Sequence, residues 1–301
     1  MTTHHARTPS PRRHAPVRLL NHAAIGVVGT GQIGGSLLRA LGVYRPALDL
    51  FAFDARPALA ARVRRHAVWC PTLAELVCRC DMVVLAVPVQ DVVRLLPAIA
   101  NAAAVRHLCR RLVVCDTATV KSRVVAAAAA CADAFAFVGL HPLAGTERSG
   151  WEGADPDLFV GRPFVFCPGD RRATVLAREL IALVGGVPVT MRADDHDRRA
   201  ATGIGLPHAL AFAAAGLPSP PSPGPSLRGG SWNSLTRVSA SNPSMVAGFL
   251  QANVRHQRRA LRQLRARLDV VDRLLKSGSL SRLESQLRRW QLASPRRTSG
   301  A

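Results

Sequence analysis

The chain has 301 residues, which is enough for one large domain or two of ordinary size. Its 48% hydrophobic residues and 23 glycines favour a globular α/β protein, and no run of about 20 uncharged apolar residues predicts a membrane span. The formal net charge is +21, yet 38 of the 40 basic residues are arginines, spread along the chain without interleaved aromatics. We therefore expect no nucleic-acid partner, although the charge should attract small anionic ligands.

The N-terminus and the cysteines indicate where the protein resides. Residues 1–21 are basic and lack the apolar stretch of a secretory signal, so they predict a disordered tail. The seven cysteines form no CxxC pair. An odd number of cysteines without the spacing of metal ligands predicts reduced thiols and a cytoplasmic protein.

Short apolar runs alternate with helical stretches up to about residue 190. Continuous apolar runs of this kind predict a parallel sheet covered by helices on both faces. We assign residues 22–190 to this doubly wound α/β domain. The predicted strands are "AAIGVVG" (23–29), "LDLFAFD" (48–54), "DMVVLAVP" (81–88), "RLVVCD" (111–116), "AFVGL" (136–140) and "PFVFCP" (163–168).

Helices are also predicted from local signals. "TLAELVCRC" opens with Thr72 and Glu75 at capping-box spacing, and "TVKSRVVAAAAACA" has the alanine content of a helix. Residues 194–216 look helical, although Gly203, Gly205 and Pro207 should bend or interrupt the helix.

The C-terminal part predicts an all-helical domain over residues 191–280. A Pro/Ser/Gly loop at residues 217–231 precedes a helix that Asn242 caps, with Pro243 at its first position. Leucine and valine recur at spacings of 3 and 4, which indicates either an intrachain core or a dimer seam; these residues are Leu261, Leu264, Leu268, Val271 and Leu275. Residues 281–301 are predicted to be a polar tail.

A glycine-rich turn follows the first predicted strand. Gly29, Gly31 and Gly34 have G-x-G-x-x-G spacing, and Asp54 ends the next strand 20 residues beyond Gly34. This is the fingerprint of a Rossmann-type dinucleotide-binding domain, with the pyrophosphate at the helix N-terminus and the acidic residue on the ribose 2′-hydroxyl. Asp54 therefore favours NAD, while Arg56 keeps NADP as an alternative.

Further cofactor contacts are expected around this turn and at neighbouring strand ends. Gln32 and Ile33 lie within the turn, and Val87 and Pro88 should border the nicotinamide half. Asp116 ends a later strand, and Lys121 either contacts the cofactor or only orients the start of its helix.

The same sheet edge should carry groups for proton transfer. Thr119 and Lys121 follow one strand, and His141 ends the next. In the oxidation of an alcohol, a base must take the hydroxyl proton as hydride leaves carbon. Histidine suits this role because its ordinary pKa lies near neutrality.

From residue 24 to about residue 275 the chain resembles the prephenate/arogenate dehydrogenase family of tyrosine biosynthesis. The motifs that carry the resemblance are "GTGQIGGSL", "DTATVK", "HPLAGTERSGWEGADPDLFVGRPFVFCP", "DDHDRRAATGIGLPHALA" and "SLTRVSASNPSMVAGFLQAN". The resemblance implies oxidative decarboxylation of a cyclohexadienol dicarboxylate, with NAD as hydride acceptor. The leucine and valine spacing of the C-terminal part, in turn, favours a homodimer formed through the C-terminal helices.

The resemblance also implies roles for single residues. His141 would bind the ring hydroxyl and assist its oxidation, with Thr119, where family members usually have serine, as a hydroxyl partner. Arg237 would bind the side-chain carboxylate, and His208 would line the substrate pocket. The turn beside the ring would be shaped by Gly145, Thr146 and Glu147.

One segment departs from the family pattern. In "GGSWNSLTR" (229–237), Ser234 stands at a usually acidic position and Trp232 at the aromatic one. This leaves prephenate and arogenate open as substrates and permits 4-amino-4-deoxyprephenate or an inactive NAD-binding homologue as alternatives.

A second histidine lies among carboxylates. His196 stands between Asp194, Asp195 and Asp197, which suggests a metal cluster, but acidic residues at a helix N-terminus are explained by the helix dipole. We therefore predict no metal site.

Overall fold

The structure is a computed structural model that describes residues 20, 23–106, 111–146, 148–218 and 228–293. The predicted basic tail, apart from Leu20, lies outside these residues. So do Glu147, residues 219–227 of the Pro/Ser/Gly loop and residues 294–301.

The central element is an eight-stranded sheet with the order β3-β2-β1-β4-β5-β6-β7-β8. All six predicted strands are present, and the doubly wound α/β fold is confirmed. The sequence missed β3, which has only two residues, and the exposed β8, which contains a proline. The strands are β1 (Ile25–Val28), β2 (Leu50–Phe53), β3 (Val68–Trp69), β4 (Met82–Leu85), β5 (Leu112–Asp116), β6 (Phe135–Pro142), β7 (Pro163–Cys167) and β8 (Val187–Thr190).

One strand pair departs from the expected parallel sheet. β7 runs antiparallel to β6, whereas the other neighbouring strands are parallel. Parallel neighbours need a long crossover that usually holds an α-helix. In the described part of the β6–β7 connection, the only helical segment is the 3₁₀ turn Trp151–Gly153, so the chain returns along β6 in the opposite direction.

Helices cover both faces of the sheet. Leu37 and Leu41 of α1 pack with Leu180 of α6 in the core on one face, and Leu76 of α3 and Leu96 of α4 pack in the core on the other. The α-helices are α1 (Gln32–Tyr44), α2 (Ala60–Val63), α3 (Leu73–Arg79), α4 (Val89–Ala104), α5 (Ser122–Ala129), α6 (Arg171–Leu183), α7 (Ala193–Ala200), α8 (Leu206–Ala215), α9 (Gly230–Thr236), α10 (Pro243–Ala252), α11 (Val254–Lys276) and α12 (Leu280–Ala293).

The predicted helix signals act as expected. The Thr72 side chain accepts a hydrogen bond from the Glu75 amide, and Asn242 accepts from the amides of Ser244 and Met245. The expected interruption near Gly203 is a π-helical segment, Ala201–Gly205, between α7 and α8.

The chain divides into two compact units. The first extends to Asn253 and contains the sheet together with α7 to α10, and the second begins at Val254 and contains α11 and α12. The contacts thus group α7 to α10 with the sheet rather than with α11. Among the described helices, none is long and apolar enough to cross a membrane.

The segment expected to be a polar tail from residue 281 is instead helical as far as Ala293. Leu280, Leu283, Leu287 and Trp290 recur at spacings of 3 and 4. Arg288 also pairs with Glu284 one turn earlier. A polar composition concealed this amphipathic pattern.

Candidate active site

The glycine-rich turn has the geometry that a dinucleotide needs. Gly29 has φ +89°, which glycine adopts without strain. A side chain on Gly34 would collide with the carbonyl oxygen of Gly29, so glycine there lets α1 approach β1 closely. Around Gly31, apart from the glycine and its chain neighbours, no heavy atom of the described residues lies within 4 Å of the position that a Cβ would take. The residues therefore leave space for a pyrophosphate at the N-terminus of α1.

Asp54 lies at the end of β2 and is buried. Its carboxylate accepts hydrogen bonds from the Thr30 amide at 2.7 Å and from Arg56 Nε at 3.1 Å. Burial alone would raise the pKa of Asp54, but the hydrogen bonds from Arg56 and Thr30 outweigh it and lower the pKa overall. Asp54 is thus an anionic acceptor at the strand end where a ribose is expected.

Two adjoining cavities lie at the carboxyl ends of the strands. The larger, of about 650 Å³, is lined by His141, His208 and Arg237. The smaller, of about 250 Å³, is lined by Gly31, Val87 and Pro88. The two cavities share part of their walls, formed by Gln32, Ile33, Thr117, Thr119, Thr146, Ser241, Met245 and Phe249. The residues predicted to bind the substrate thus line the larger cavity, and several of those predicted to bind the cofactor line the adjoining smaller one.

His141 is the next-to-last residue of β6 and is buried. Its Nδ1 lies 2.8 Å from Nε2 of His196, and Nδ1 of His196 lies 2.8 Å from Oδ1 of Asp197. Burial lowers the pKa of His141 well below 6.5, and the neighbouring His196 and Lys121 lower it further, while Asp197 opposes them. His141 is therefore neutral near pH 7, as a proton acceptor must be.

His196 and Asp197 are parts of the site that sequence reasoning missed. They were treated as a polar cluster at a helix start, but both side chains are buried and His196 lines the larger cavity. The sequence carries little signal for this role, because His196 and His141 are 55 positions apart and only the fold brings their rings together. Within the described ranges, no group of His, Cys, Asp and Glu has the arrangement of a metal site.

Asp116 was expected to contact the cofactor, and Lys121 was expected either to contact it or to orient the start of its helix. Their side chains form an ion pair that is completely buried, and neither lines a cavity. Lys121 Nζ also donates to the carbonyl of Leu140, and the Leu140 amide donates to Asp116 at 3.3 Å. The pair therefore holds the backbone just before His141 instead of reaching a ligand.

The remaining substrate residues line the larger cavity as expected. His208 Nδ1 lies 2.9 Å from the carbonyl oxygen of Ile204, which leaves Nε2 for a ligand. Gly145 has φ +137°. The next residue, Thr146, exchanges two hydrogen bonds with the Gln32 side chain, its hydroxyl accepting at 2.6 Å and its amide donating at 3.1 Å. The turn after His141 is thereby joined to the glycine-rich turn.

The segment expected to reach the substrate contributes only one residue to the cavity. Arg237 lines it, whereas Trp232 and Ser234 do not. Trp232 instead lies under the guanidinium of Arg228, whose Cζ is 4.2 Å from the ring centroid. The departures of Trp232 and Ser234 from the family pattern therefore do not change the cavity wall directly.

Known proteins resemble this chain over most of its length. Residues 46–190 match the profile described as "Prephenate dehydrogenase, nucleotide-binding domain", and residues 192–289 match "Prephenate dehydrogenase, dimerization domain". The probable prephenate dehydrogenase NovF of Streptomyces niveus is 33% identical over 81% of this chain and 69% of its own length. Cyclohexadienyl dehydrogenase of Zymomonas mobilis is 30% identical over 76% of this chain and 80% of its own.

A solved structure shares the fold. The prephenate dehydrogenase of Aquifex aeolicus, in complex with hydroxyphenyl propionate and NAD+, superposes with a TM-score of 0.78 at 24% identity and covers 90% of this chain and 96% of its own. The matches span both the sheet and the C-terminal helices. The two profiles and the two relatives show that this chain is an oxidoreductase of the prephenate dehydrogenase family.

Proposed function

We propose that the chain catalyses the NAD-dependent oxidative decarboxylation of prephenate to 4-hydroxyphenylpyruvate. One observation carries the proposal: His141, Thr119 and Arg237 line a single cavity that shares its wall with the glycine-turn cavity. The family relationship, and the NAD+ and hydroxyphenyl propionate named for the Aquifex aeolicus protein, support it.

The cofactor residues fit NAD. Gly31 leaves room for the pyrophosphate, the anionic Asp54 would accept a hydrogen bond from the ribose 2′-hydroxyl, and Val87 and Pro88 would border the nicotinamide. When bound, NAD supplies the hydride acceptor. Because Asp54 would repel a 2′-phosphate, NAD is expected to be preferred to NADP.

The chain's own side chains bind the substrate and transfer the proton of its ring hydroxyl. Arg237 would hold the side-chain carboxylate, since guanidinium pairs with carboxylate through two hydrogen bonds. His141 would accept the proton of the ring hydroxyl while hydride leaves the ring carbon that carries this hydroxyl. Thr119 would be a second hydrogen-bond partner of the hydroxyl oxygen. The bond between the ring and its carboxylate then breaks, and CO2 leaves. The electron pair of this bond completes the aromatic ring, and the phenol oxygen regains the proton.

The cavity favours prephenate over arogenate. Its described lining includes Arg199 and Arg237 but no aspartate or glutamate. Arogenate carries an ammonium group where prephenate has a ketone, and Arg199 and Arg237 would repel an ammonium placed near them. The doubly negative prephenate suits the positive wall better.

The test follows NADH absorbance with prephenate, arogenate and 4-amino-4-deoxyprephenate, each with NAD and with NADP. We expect the highest kcat/KM with prephenate and NAD, and Asp54→Ser should reduce the preference for NAD. Turnover of none of the three compounds would refute the enzyme assignment. A higher kcat/KM for arogenate or for the amino analogue would refute only the substrate preference.

We also propose a cytoplasmic homodimer. The match to a dimerization domain and the partly exposed leucines of α11 support the dimer. All six cysteines in the described part of the chain are free thiols, which supports a reducing compartment.

A further inference from the structure

Three buried side chains form a hydrogen-bonded series that ends at the substrate cavity. Asp197, His196 and His141 are each less than 9% exposed and are joined by two contacts of 2.8 Å. The mechanism proposed above uses only His141. The other two residues therefore need an explanation.

Asp197 is held as an anion at one end of the series. Its Oδ1 accepts from the Lys121 amide at 2.7 Å and its Oδ2 from the Ser122 amide at 2.8 Å, both at the start of α5. The positive end of the helix dipole stabilises a carboxylate there. Burial alone would raise the pKa of Asp197, but the hydrogen bonds from His196, Lys121 and Ser122 lower it overall.

The direction of the hydrogen bonds follows from this anion. A carboxylate only accepts, so Nδ1 of His196 carries the hydrogen. If this is the only hydrogen on the His196 ring, its Nε2 holds a lone pair and accepts from Nδ1 of His141. His141 consequently keeps its own lone pair on Nε2, the ring nitrogen that remains for a ligand in the cavity that His141 lines.

We propose that His196 and Asp197 are positioning residues that hold His141 in the Nδ1–H tautomer, so that its Nε2 faces the substrate hydroxyl as a proton acceptor. In the other tautomer, Nε2 would carry a hydrogen and could only donate. The catalytic part of this inference rests on the proposed function, whereas the tautomer itself does not.

The titratable groups around His141 agree with a neutral ring. Asp197 and His196 face it from α7, and Lys121, which pairs with Asp116 of β5, faces it from the start of α5. Lys121 disfavours a positive charge on His141, while Asp197, whose carboxylate opposes this effect, is separated from the ring by His196.

The first test reads the tautomer directly. Long-range proton–nitrogen NMR of the full chain distinguishes a protonated from an unprotonated ring nitrogen, and the signals of His141 are assigned by their loss in His141→Asn. We expect hydrogen on Nδ1 in the wild type. In His196→Phe, which offers no acceptor, we expect His141 to move toward the Nε2–H form that free imidazole side chains prefer.

His196→Gln is the conservative rescue variant. The Gln amide oxygen can accept from His141 Nδ1 in place of the imidazole Nε2, so we expect the Nδ1–H form to be retained. Hydrogen on Nε2 of His141 in the wild type would overturn the proposal, and this measurement needs no variant of His196 to fold. An Nδ1–H form that persists in His196→Phe would also overturn it.

The second test is kinetic. His196→Phe and Asp197→Asn should lower kcat with prephenate by about 10²-fold, the range for loss of general-base catalysis, with KM for NAD and prephenate within about twofold. His196→Gln should keep a larger share of kcat. His66→Gln, a histidine that lines neither cavity, is the matched control.

The two tests separate the possible failures. If the wild type shows no turnover of prephenate but has the Nδ1–H tautomer, the proposed function fails and the positioning assignment remains. If kcat is unchanged in His196→Phe while the tautomer shifts, the positioning role in catalysis is refuted. A rise in KM alone would refute it as well and indicate a binding role.

Discussion

At the scale of single residues, the chemistry depends on the protonation state of His141. The ring is buried at the end of β6, and burial is the largest cause of its lowered pKa, followed by the neighbouring His196 and Lys121. A neutral imidazole accepts a proton, whereas imidazolium does not. The burial of His141 thus keeps the ring in the form that can accept a proton.

This predicts the pH dependence of kcat/KM. Because the lowered pKa keeps His141 neutral below pH 6.5, the acidic fall in kcat/KM should begin only below that pH, not near the pKa of a free histidine. His141→Asn should lose about 10²- to 10⁴-fold in kcat and retain its affinity for NAD. The check is a pH profile of NADH formation together with NAD titration of the variant. A wild-type fall centred at or above pH 6.5 would contradict the expectation.

Arg237 should act mainly in binding. It lines the cavity, and a guanidinium–carboxylate interaction contributes about 1.5–3 kcal/mol. Arg237→Ala should therefore raise KM for prephenate by about 10- to 100-fold, with a smaller effect on kcat. Arg237→Lys, which keeps the charge but not the paired donors, should be intermediate. An unchanged KM in the alanine variant would show that the carboxylate is bound elsewhere.

At the scale of elements, the site depends on how β5, β6 and α5 are joined. Asp116 at the end of β5 and Lys121 before α5 hold Leu140 of β6 through its amide and carbonyl. The start of α5 in turn holds Asp197 of α7. Groups from β5, the start of α5 and α7 thus fix His141 of β6 on its backbone side and its ring side.

The buried ion pair predicts a stability effect. Lys121→Met would leave Asp116 buried without its cation, which should lower the free energy of unfolding by about 3–5 kcal/mol. The double variant Asp116→Asn with Lys121→Met removes both charges and should recover part of this loss. Thermal unfolding of the three proteins tests the prediction. Equal melting temperatures for wild type and Lys121→Met would mean that the pair does not contribute.

At the scale of the whole molecule, α11 presents apolar residues that the single chain leaves partly exposed. Leu268 and Leu275 are 53% and 61% exposed, although the a/d spacing of the stripe is that of a packed seam. Exposure of this kind favours the dimer seam over the intrachain core as the role of the stripe.

The dimer is tested by placing a charge on the seam. Leu268→Glu should shift the protein from dimer to monomer in analytical ultracentrifugation, because a buried carboxylate at such a seam lacks a partner. Ala266→Glu is the control, since it adds the same charge at an exposed position outside the stripe. A monomeric wild type, or a dimer that Leu268→Glu leaves intact, would refute this seam.

Much of the fold followed from local signals. Six apolar runs became strands, and Thr72, Asn242 and the glycines near residue 203 acted as their positions predicted. The failures were elements whose local signal is weak. β3 and β8 are short or exposed, and α12 carries its apolar residues within a polar composition.

The sequence by itself determined six of the eight strands, the glycine turn and several of the residues that line the cavities, because backbone propensity, apolar periodicity and motif spacing are properties of neighbouring residues. Only the tertiary structure decided the antiparallel direction of β7, the enclosure of Lys121 with Asp116, and the series from Asp197 through His196 to His141. These depend on contacts between residues far apart in the chain, such as His141 and His196, which are 55 positions apart. Burial removes the competing water and so determines which polar groups pair and which face a ligand.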